Sequence, residues 1–253
     1  MGSYEPVAAL LRGLDVLHCL NEHGPMTVGQ LHDRTGIAKP TVVRVLETLA
    51  HAGYVMVHPA ERRYAVTARV MTLSNGYQAQ SHLLAVATPI LERHRQAAGW
   101  PIELGVFDQD AMVILDTSRT PGYLSVNTRP GSRVPVLHTA LGRAYLAALP
   151  ETELTLLLAN LATRPAAEFD AARAPDDLHR QLIATRERAY AMADTEHPLT
   201  NGRAVACAVV HGGRPVASVN VVVHVSAMPL KTFEQEQGQA IRALASEIAT
   251  ALM

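Results

Sequence analysis

Arg44, Glu47 and His51, with Lys39 five residues before Arg44, fall in one short stretch, KPTVVRVLETLAH. A helix turns by about 100° per residue, so Val42, Leu46 and Leu49 form one apolar stripe, flanked by Val45 and continued by Gly53. Arg44 and His51 then lie opposite that stripe. Thr41 and Thr48 lie on one flank, Pro40 and Glu47 on the other. Cationic and hydroxyl groups on the outer side of a helix can do two things. They can be solvated, or they can pair with phosphate oxygens and base edges. Pro40 suits the first helical turn, where its missing N–H would have no intrahelical partner. Gly53 suits the position just past the last turn.

The neighbouring elements decide between these readings. TVGQLHDRTG opens with a capping box in which Thr27 and Gln30 satisfy each other's backbone. It predicts a short helix over 28–34 that ends at Gly36. Before it, PVAALLRGLDVLHCLNEHG carries Leu10, Leu14, Leu17 and Leu20 at helical spacing and stops at Gly24. Three helices, the second and third joined by a glycine-containing turn, make a helix-turn-helix. Residues 54–58 and 63–66 alternate around a turn at Pro59-Ala60-Glu61-Arg62, which predicts a hairpin. A helix-turn-helix followed by a hairpin is a winged helix, whose second turn helix enters the major groove of double-stranded DNA. The candidate DNA contacts are Thr27, Lys39, Pro40, Thr41, Arg44, Arg62 and Arg63. Residues 1–69 hold seven basic and six acidic residues, while 36–69 hold five against two. The positive charge is therefore on the DNA side, yet weak. Since phosphate neutralisation supplies much of DNA affinity, several copies acting together are expected.

The 253 residues suffice for two ordinary domains, with a net charge of −1. No apolar run approaches a bilayer span, so no membrane partner is expected. The segment MGSYEPV has no basic n-region, so a signal peptide is not expected and the setting is read as cytoplasmic. Cys19 and Cys207 sit in separate apolar patterns, as small buried residues in a reducing compartment do.

Residues 67–99 carry apolar positions at near-helical spacing with weak points at Gly76 and Pro89, which predicts one linker helix with a break or kink, or two helices in line. From Trp100 the pattern changes. Two strands flank a turn at 108–110, and 122–136 read as a third strand and a loop. Helices follow at 138–149, 151–162 and 174–191. A hairpin turns at Gly212-Gly213, and an amphipathic helix closes the chain. This predicts an α+β domain with a largely antiparallel sheet. The expected division is 1–67 for the winged helix, 68–99 for the linker helix and 100–253 for the second domain.

The blocks RGLDVLHCL, TVGQL…TGIAKPTVVRVLETLAHAGYV, RVMTLSNGY and RPGSRVPVLHTALGRAYLAAL resemble the IclR type of transcriptional regulator, over roughly residues 8–252. The resemblance implies a winged helix, a linker helix and a GAF-like effector-binding domain, assembled as a homodimer or a dimer of dimers, with RNA polymerase as a further partner. GWPIELGVFDQDAMVIL, VNTRPGSRVPVL and VNVVVHVSAM resemble the subgroup that controls 3-(3-hydroxyphenyl)propionate catabolism. Two departures stand out. Pro40 replaces a small hydroxyl residue common in the family, and Val210 stands where a proline is common.

The resemblance implies a small organic acid, an aromatic carboxylate, as effector. The helix opened by Thr139, Ala140 and Leu141 offers free N–H groups and a dipole to a carboxylate, unless Thr139 is only its cap. Arg203 could clamp the same carboxylate in two-point fashion, unless it is a strand-end surface residue. Ser218 and Asn220 share one face of their strand with Val216, Val222 and His224, a polar–apolar mixture suited to a ligand. Tyr123, Val126, Val205 and Cys207 complete the candidate effector site, with Trp100 a further aromatic wall or simply core. Nucleophile elbow, P-loop, dinucleotide glycine pattern and metalloprotease helix are all missing from the sequence. The twelve histidines are scattered without ligand spacing. No enzyme activity, metal or cofactor is expected. The rival readings are an enzyme fused to a DNA module and a ligand-independent DNA scaffold.

Overall fold

The computed structural model describes residues 5–58, 60–74, 81–119, 128–194 and 202–253. It divides into two compact units, Met1–Gln78 and Ala79–Met253.

In the first unit, helix α1 (Ala8–His23) precedes α2 (Val28–Thr35) and α3 (Lys39–His51). Thr27 and Gln30 close the capping box: the Gln30 N–H donates to Thr27 Oγ1 at 3.3 Å and the Thr27 N–H donates to Gln30 Oε1 at 3.0 Å. Gly36 ends α2 in the left-handed region at φ +69°, a conformation that penalises any residue with a Cβ. Strands β1 (Val55–His58) and β2 (Arg63–Val66) pair antiparallel, and Met26 adds a bridge to Tyr64. Val16, Leu20, Leu31, Val42 and Leu46 are wholly buried, each worth about 1.5–3 kcal/mol of burial. The α1 stripe splits: Leu17 and Leu20 join this core, whereas Leu10 and Leu14 are more than half exposed.

The bridge segment is not one continuous described helix. Residues 68–74 form a 3₁₀ helix, and α4 (Ser81–Ala98) runs through Pro89 without stopping. Leu83, Ala87, Ile90 and Leu91 of α4 are buried in the second unit's core. Gly76 lies outside the described residues.

The second unit is built on one antiparallel sheet ordered β5-β4-β3-β8-β7-β6. Its strands are β3 (Ile102–Asp108), β4 (Ala111–Thr117), β5 (Arg133–Pro135), β6 (Ala191–Asp194), β7 (Gly202–His211) and β8 (Arg214–His224). One face packs on α4 and α9 (Leu230–Ala251) through Ile102, Leu104, Val205, Val219, Val221, Phe233 and Ile241. The other face is covered by α5 (Ala140–Ala148), beyond which lie α6 (Glu151–Ala162), α7 (Asp170–Arg173) and α8 (Asp176–Arg188). The α+β class and the antiparallel sheet agree with the sequence reading. Two elements do not. Residues 133–135, expected in a loop, form β5 against β4. Ala191, expected at the end of the helix over 174–191, instead opens β6 (Ala191–Asp194), because Ala189 at φ +61° ends α8. The third strand expected at the start of 122–136 falls on residues up to 127 that lie outside the described residues.

Helix α5 lies close to its surroundings because small residues line it. Ala140 and Ala144 meet Ala191, Ala193 and Ala206. A Cβ on Gly142 would come within 2.0 Å of the Val136 carbonyl oxygen, and one on Gly105 within 2.6 Å of Leu141. Backbone cannot yield as a flexible side chain can. Gly142→Ala should therefore lower stability by about 1–3 kcal/mol, read as a fall of several degrees in the thermal unfolding midpoint by circular dichroism. An unchanged midpoint would mean that α5 is not held this tightly.

Candidate functional site

Lys39, Pro40, Arg44, Glu47, Thr48 and His51 are exposed along α3, while Val42 and Leu46 face inward. Thr41 is half-buried on the flank. The helix therefore turns its apolar stripe to the core and its cations to solvent. Thr27, at the start of α2, and Arg62, in the hairpin turn at φ +50°, line one groove of about 400 Å³ together with Val28, Gly29, Val57 and Tyr64. That groove joins a helix amino end to a guanidinium. Arg63 opens β2 at the hairpin tip, opposite His58; it is half-buried, and its Nη1 donates to the Pro25 carbonyl at 3.4 Å.

In the second unit the predicted ligand residues divide between the two faces of the sheet. Arg203 lies opposite Val223, Val205 opposite Val221, and Cys207 opposite Val219. Directly opposed residues share a face, so all three point to the α4/α9 side. Asn220 lies opposite Ala206 and Glu103, and Ser218 opposite Ala208 and Gly105, on the α5 side. Arg203 and the amino end of α5 therefore do not flank one site. Arg203 is buried. Its Nε donates to Asp194 Oδ1 at 2.9 Å, and its Nη1 donates to the carbonyls of Val225 and Met228. Val205 is fully buried in the α4/α9 core, against which Trp100 also packs. Cys207 is partly covered on the same side, and burial pushes its thiol pKa up to about 11. It remains protonated at neutral pH. Tyr123 and Val126 lie outside the described residues.

Thr139 is the cap of α5. Its hydroxyl oxygen accepts from the Gly142 N–H at 3.1 Å and donates to the Pro135 carbonyl at 2.9 Å. Ala140 and Leu141 are buried by packing, and Arg143 turns towards the carbonyls of Leu137, His138 and Met192.

The sequence reading missed the most polar part of this face. Glu103, the second residue of β3, is 3% exposed. Its Oε1 accepts from Thr117 at 3.3 Å and from Thr128, and lies 3.0 Å from Arg119 Nε; its Oε2 accepts from Asn220 Nδ2 at 3.2 Å. Among the described residues, Ser218 Oγ and Asn220 Oδ1 are buried without a hydrogen-bond partner. An acid inside the apolar run PIELGVF was the available signal, since a buried carboxylate needs donors around it. Among the described residues no grouping of histidine, cysteine and acidic side chains could hold a metal ion. No described helix is long and apolar enough to cross a membrane.

Two family models match this chain: the IclR helix-turn-helix domain over residues 9–59, and the bacterial transcriptional regulator IclR C-terminal domain over residues 76–250. The chain belongs to the IclR family. IclR proteins are DNA-binding transcriptional regulators, not enzymes, which sets aside the fused-enzyme reading. The chain is 36% identical over 146 residues to the HTH-type transcriptional regulator TsaQ1/TsaQ2 of Comamonas testosteroni; the match covers 57% of this chain and about half, 52%, of that relative. A putative transcriptional regulator from Rhodococcus sp. RHA1 shares the fold with a TM-score of 0.72 at 25% identity, covering 98% of each chain. An IclR homologue from Microbacterium hydrocarbonoxydans, complexed with 4-hydroxybenzoate, has a TM-score of 0.71 at 20% identity, covering 97% of this chain and 99% of that one.

The geometry of Arg203 gives a direct test. Arg203→Ala removes a charged hydrogen-bond centre between β6, β7 and the turn before α9. It should cost roughly 1–3 kcal/mol of stability, measured by urea denaturation. Effector affinity of the folded variant should stay near wild type. A variant of normal stability with lost affinity would return Arg203 to the ligand site.

Proposed function

We propose that this IclR-family protein is a cytoplasmic regulator of a catabolic operon whose DNA binding answers to a small aromatic carboxylate. One observation carries the reading. A winged helix with Lys39 and Arg44 in solvent is joined in one chain to a domain holding unpartnered polar atoms, Ser218 Oγ and Asn220 Oδ1, in its interior.

Helix α3 enters the major groove of the operator. Arg44 reads a base edge or grips a phosphate there, and Lys39, Pro40 and Thr41 border the backbone at the helix entrance. The groove between Thr27 and Arg62 takes a phosphate, since the α2 amino end and a guanidinium both favour an anion. The exposed Leu10, Leu11 and Leu14 on α1 belong against a second copy of the chain, which gives the weakly basic domain the doubled phosphate contact it needs. The functional unit is a homodimer or a dimer of dimers.

The effector lies on the α5 side of the sheet. Its carboxylate sits at the amino end of α5, and its body lies along Ser218 and Asn220. Arg119 is neutralised by Glu103, so the helix end supplies the positive field. The aromatic class follows from the likeness to the regulators of 3-(3-hydroxyphenyl)propionate catabolism, and it accords with the 4-hydroxybenzoate held by a protein of the same fold. The effector favours one arrangement of the assembled protein and so alters operator affinity or contact with RNA polymerase.

Gel-shift titration of the operator with and without a panel of aromatic acids tests the whole reading: one acid should change the apparent affinity, and indifference to every acid would leave a ligand-independent DNA binder. Arg44→Ala should cost about 1–3 kcal/mol of specific binding if it reads a base. Arg62→Ala should reduce the slope of log affinity against log salt by about one, with little change in sequence preference. Wild-type binding by either variant would remove that residue from the interface. Pairing Leu10→Asp with Leu14→Asp should shift the assembly to a smaller species by light scattering and weaken operator binding; an unchanged mass would place the interface elsewhere.

A further inference from the structure

Three neutral side chains of the described residues bury a polar atom without a partner: Ser218, Asn220 and Gln237. Two of them stand on the same face of β8, two residues apart, hence about 7 Å from one another along the strand. Ser218 is fully buried and Asn220 is 6% exposed. Buried polar atoms are rarely left unsatisfied, because each forfeits its hydrogen bond to water. Their alignment on the face proposed for the effector points to a ligand group that satisfies them.

The chemistry of that group follows from Glu103. Its carboxylate is ringed by donors and serves them as an acceptor. Thr117, Thr128 and Arg119 surround Oε1, and Asn220 Nδ2 donates to Oε2. The amide nitrogen of Asn220 is therefore fixed on Glu103, since a flip would set two acceptors against each other. Its Oδ1 is left as an acceptor of fixed direction. We propose that Asn220, oriented by Glu103, determines specificity by accepting a hydrogen bond from a hydroxyl or amino group of the effector. Glu103 is a positioning residue and touches the effector only through Asn220. A carboxylate is repelled at this end, so the acidic group lies towards Ser218 and the amino end of α5. Leu141 of α5 packs over Gly105, the partner of Ser218, which places that helix end on the Ser218 side. The ligand class is a hydroxy or amino acid with its donor remote from its carboxylate.

This inference rests on the effector reading above. The test is calorimetry of the full-length protein with matched pairs: 3-phenylpropanoate and 3-(3-hydroxyphenyl)propanoate, benzoate and its 3- and 4-hydroxy forms, butanoate and 4-hydroxybutanoate. In at least one pair the hydroxylated member should bind about tenfold tighter or more. Asn220→Leu and Asn220→Ala should each erase that ratio, the hydroxylated acid losing more affinity than its unsubstituted partner. Glu103→Gln, which frees the amide to turn, should shrink the ratio in the same way. Aromatic acids that bind with no hydroxyl preference would overturn this inference and leave the effector reading intact. A ratio that persists in both Asn220 variants would overturn it as well. A hydroxyl preference confined to the aliphatic pair would support the inference and remove the aromatic assignment. Binding of no acid at all would overturn both.

Discussion

In the β7–β8 hairpin, Val210 pairs with Pro215 but Val209 pairs with Ala217, so Val216 stands opposite no residue of β7. This one-residue shift decides which side chains meet. Because side chains alternate, an extra residue in one strand exchanges the faces of everything beyond it relative to its partner. A hairpin without the shift would set Val205 beside Asn220, and Arg203 would join the same face. With it, Arg203, Val205 and Cys207 belong to the α4/α9 side and Asn220 to the α5 side. Six strands covered on both faces then keep two chemistries apart. One side is an apolar core that holds α4 and α9. The other combines alanine and glycine contacts beneath α5 with the carboxylate of Glu103 and its donors.

The close approach of α5 depends on the same separation. Ala204 and Ala206 of β7 and Ala191 and Ala193 of β6 present only methyl groups to Ala140 and Ala144. Had the faces been exchanged, the valines of β7 would stand where those alanines are, and the helix would be held further out. The amino end of α5 would then be displaced from Ser218, and the buried acceptor of Asn220 would face a different space. The position of the proposed effector site thus follows from the register of one hairpin together with the small residues on one of its faces.

Much of this was legible in the sequence where the signal is local. The Thr27–Gln30 capping box, the glycine stops after α1 and α2, the β1–β2 hairpin and the Thr139 cap all depend on residues within a few positions of one another. Alternation within β8 correctly grouped Ser218 with Asn220. What was not legible depends on distant partners. Val216 is an ordinary strand residue; Pro215 beside it, a residue that a central strand accommodates only near its start or at a bulge, was the one local hint, and it does not say which faces the shift brings together. Ala191–Asp194 have the composition of a helix and become a strand only because β7 offers an edge. Leu10 and Leu14 continue a helical stripe whose second half alone meets a partner within the chain. Glu103 was visible as an acid in an apolar strand, but its meaning required Arg119, Thr128 and Asn220 from elsewhere in the sequence.

The proposed effector site lies on the α5 side of the sheet and not on the α9 side. Hydrogen–deuterium exchange of the full-length protein, with and without its best-binding acid, tests this most directly. An effector on the α5 side should slow exchange in peptides covering 103–107, 139–144 and 217–222 and leave peptides from 239–250 unchanged. Protection centred on 207–210 and 239–249, where Cys207, Arg242 and Ser246 line an open groove, with no change at 139–144, would contradict it.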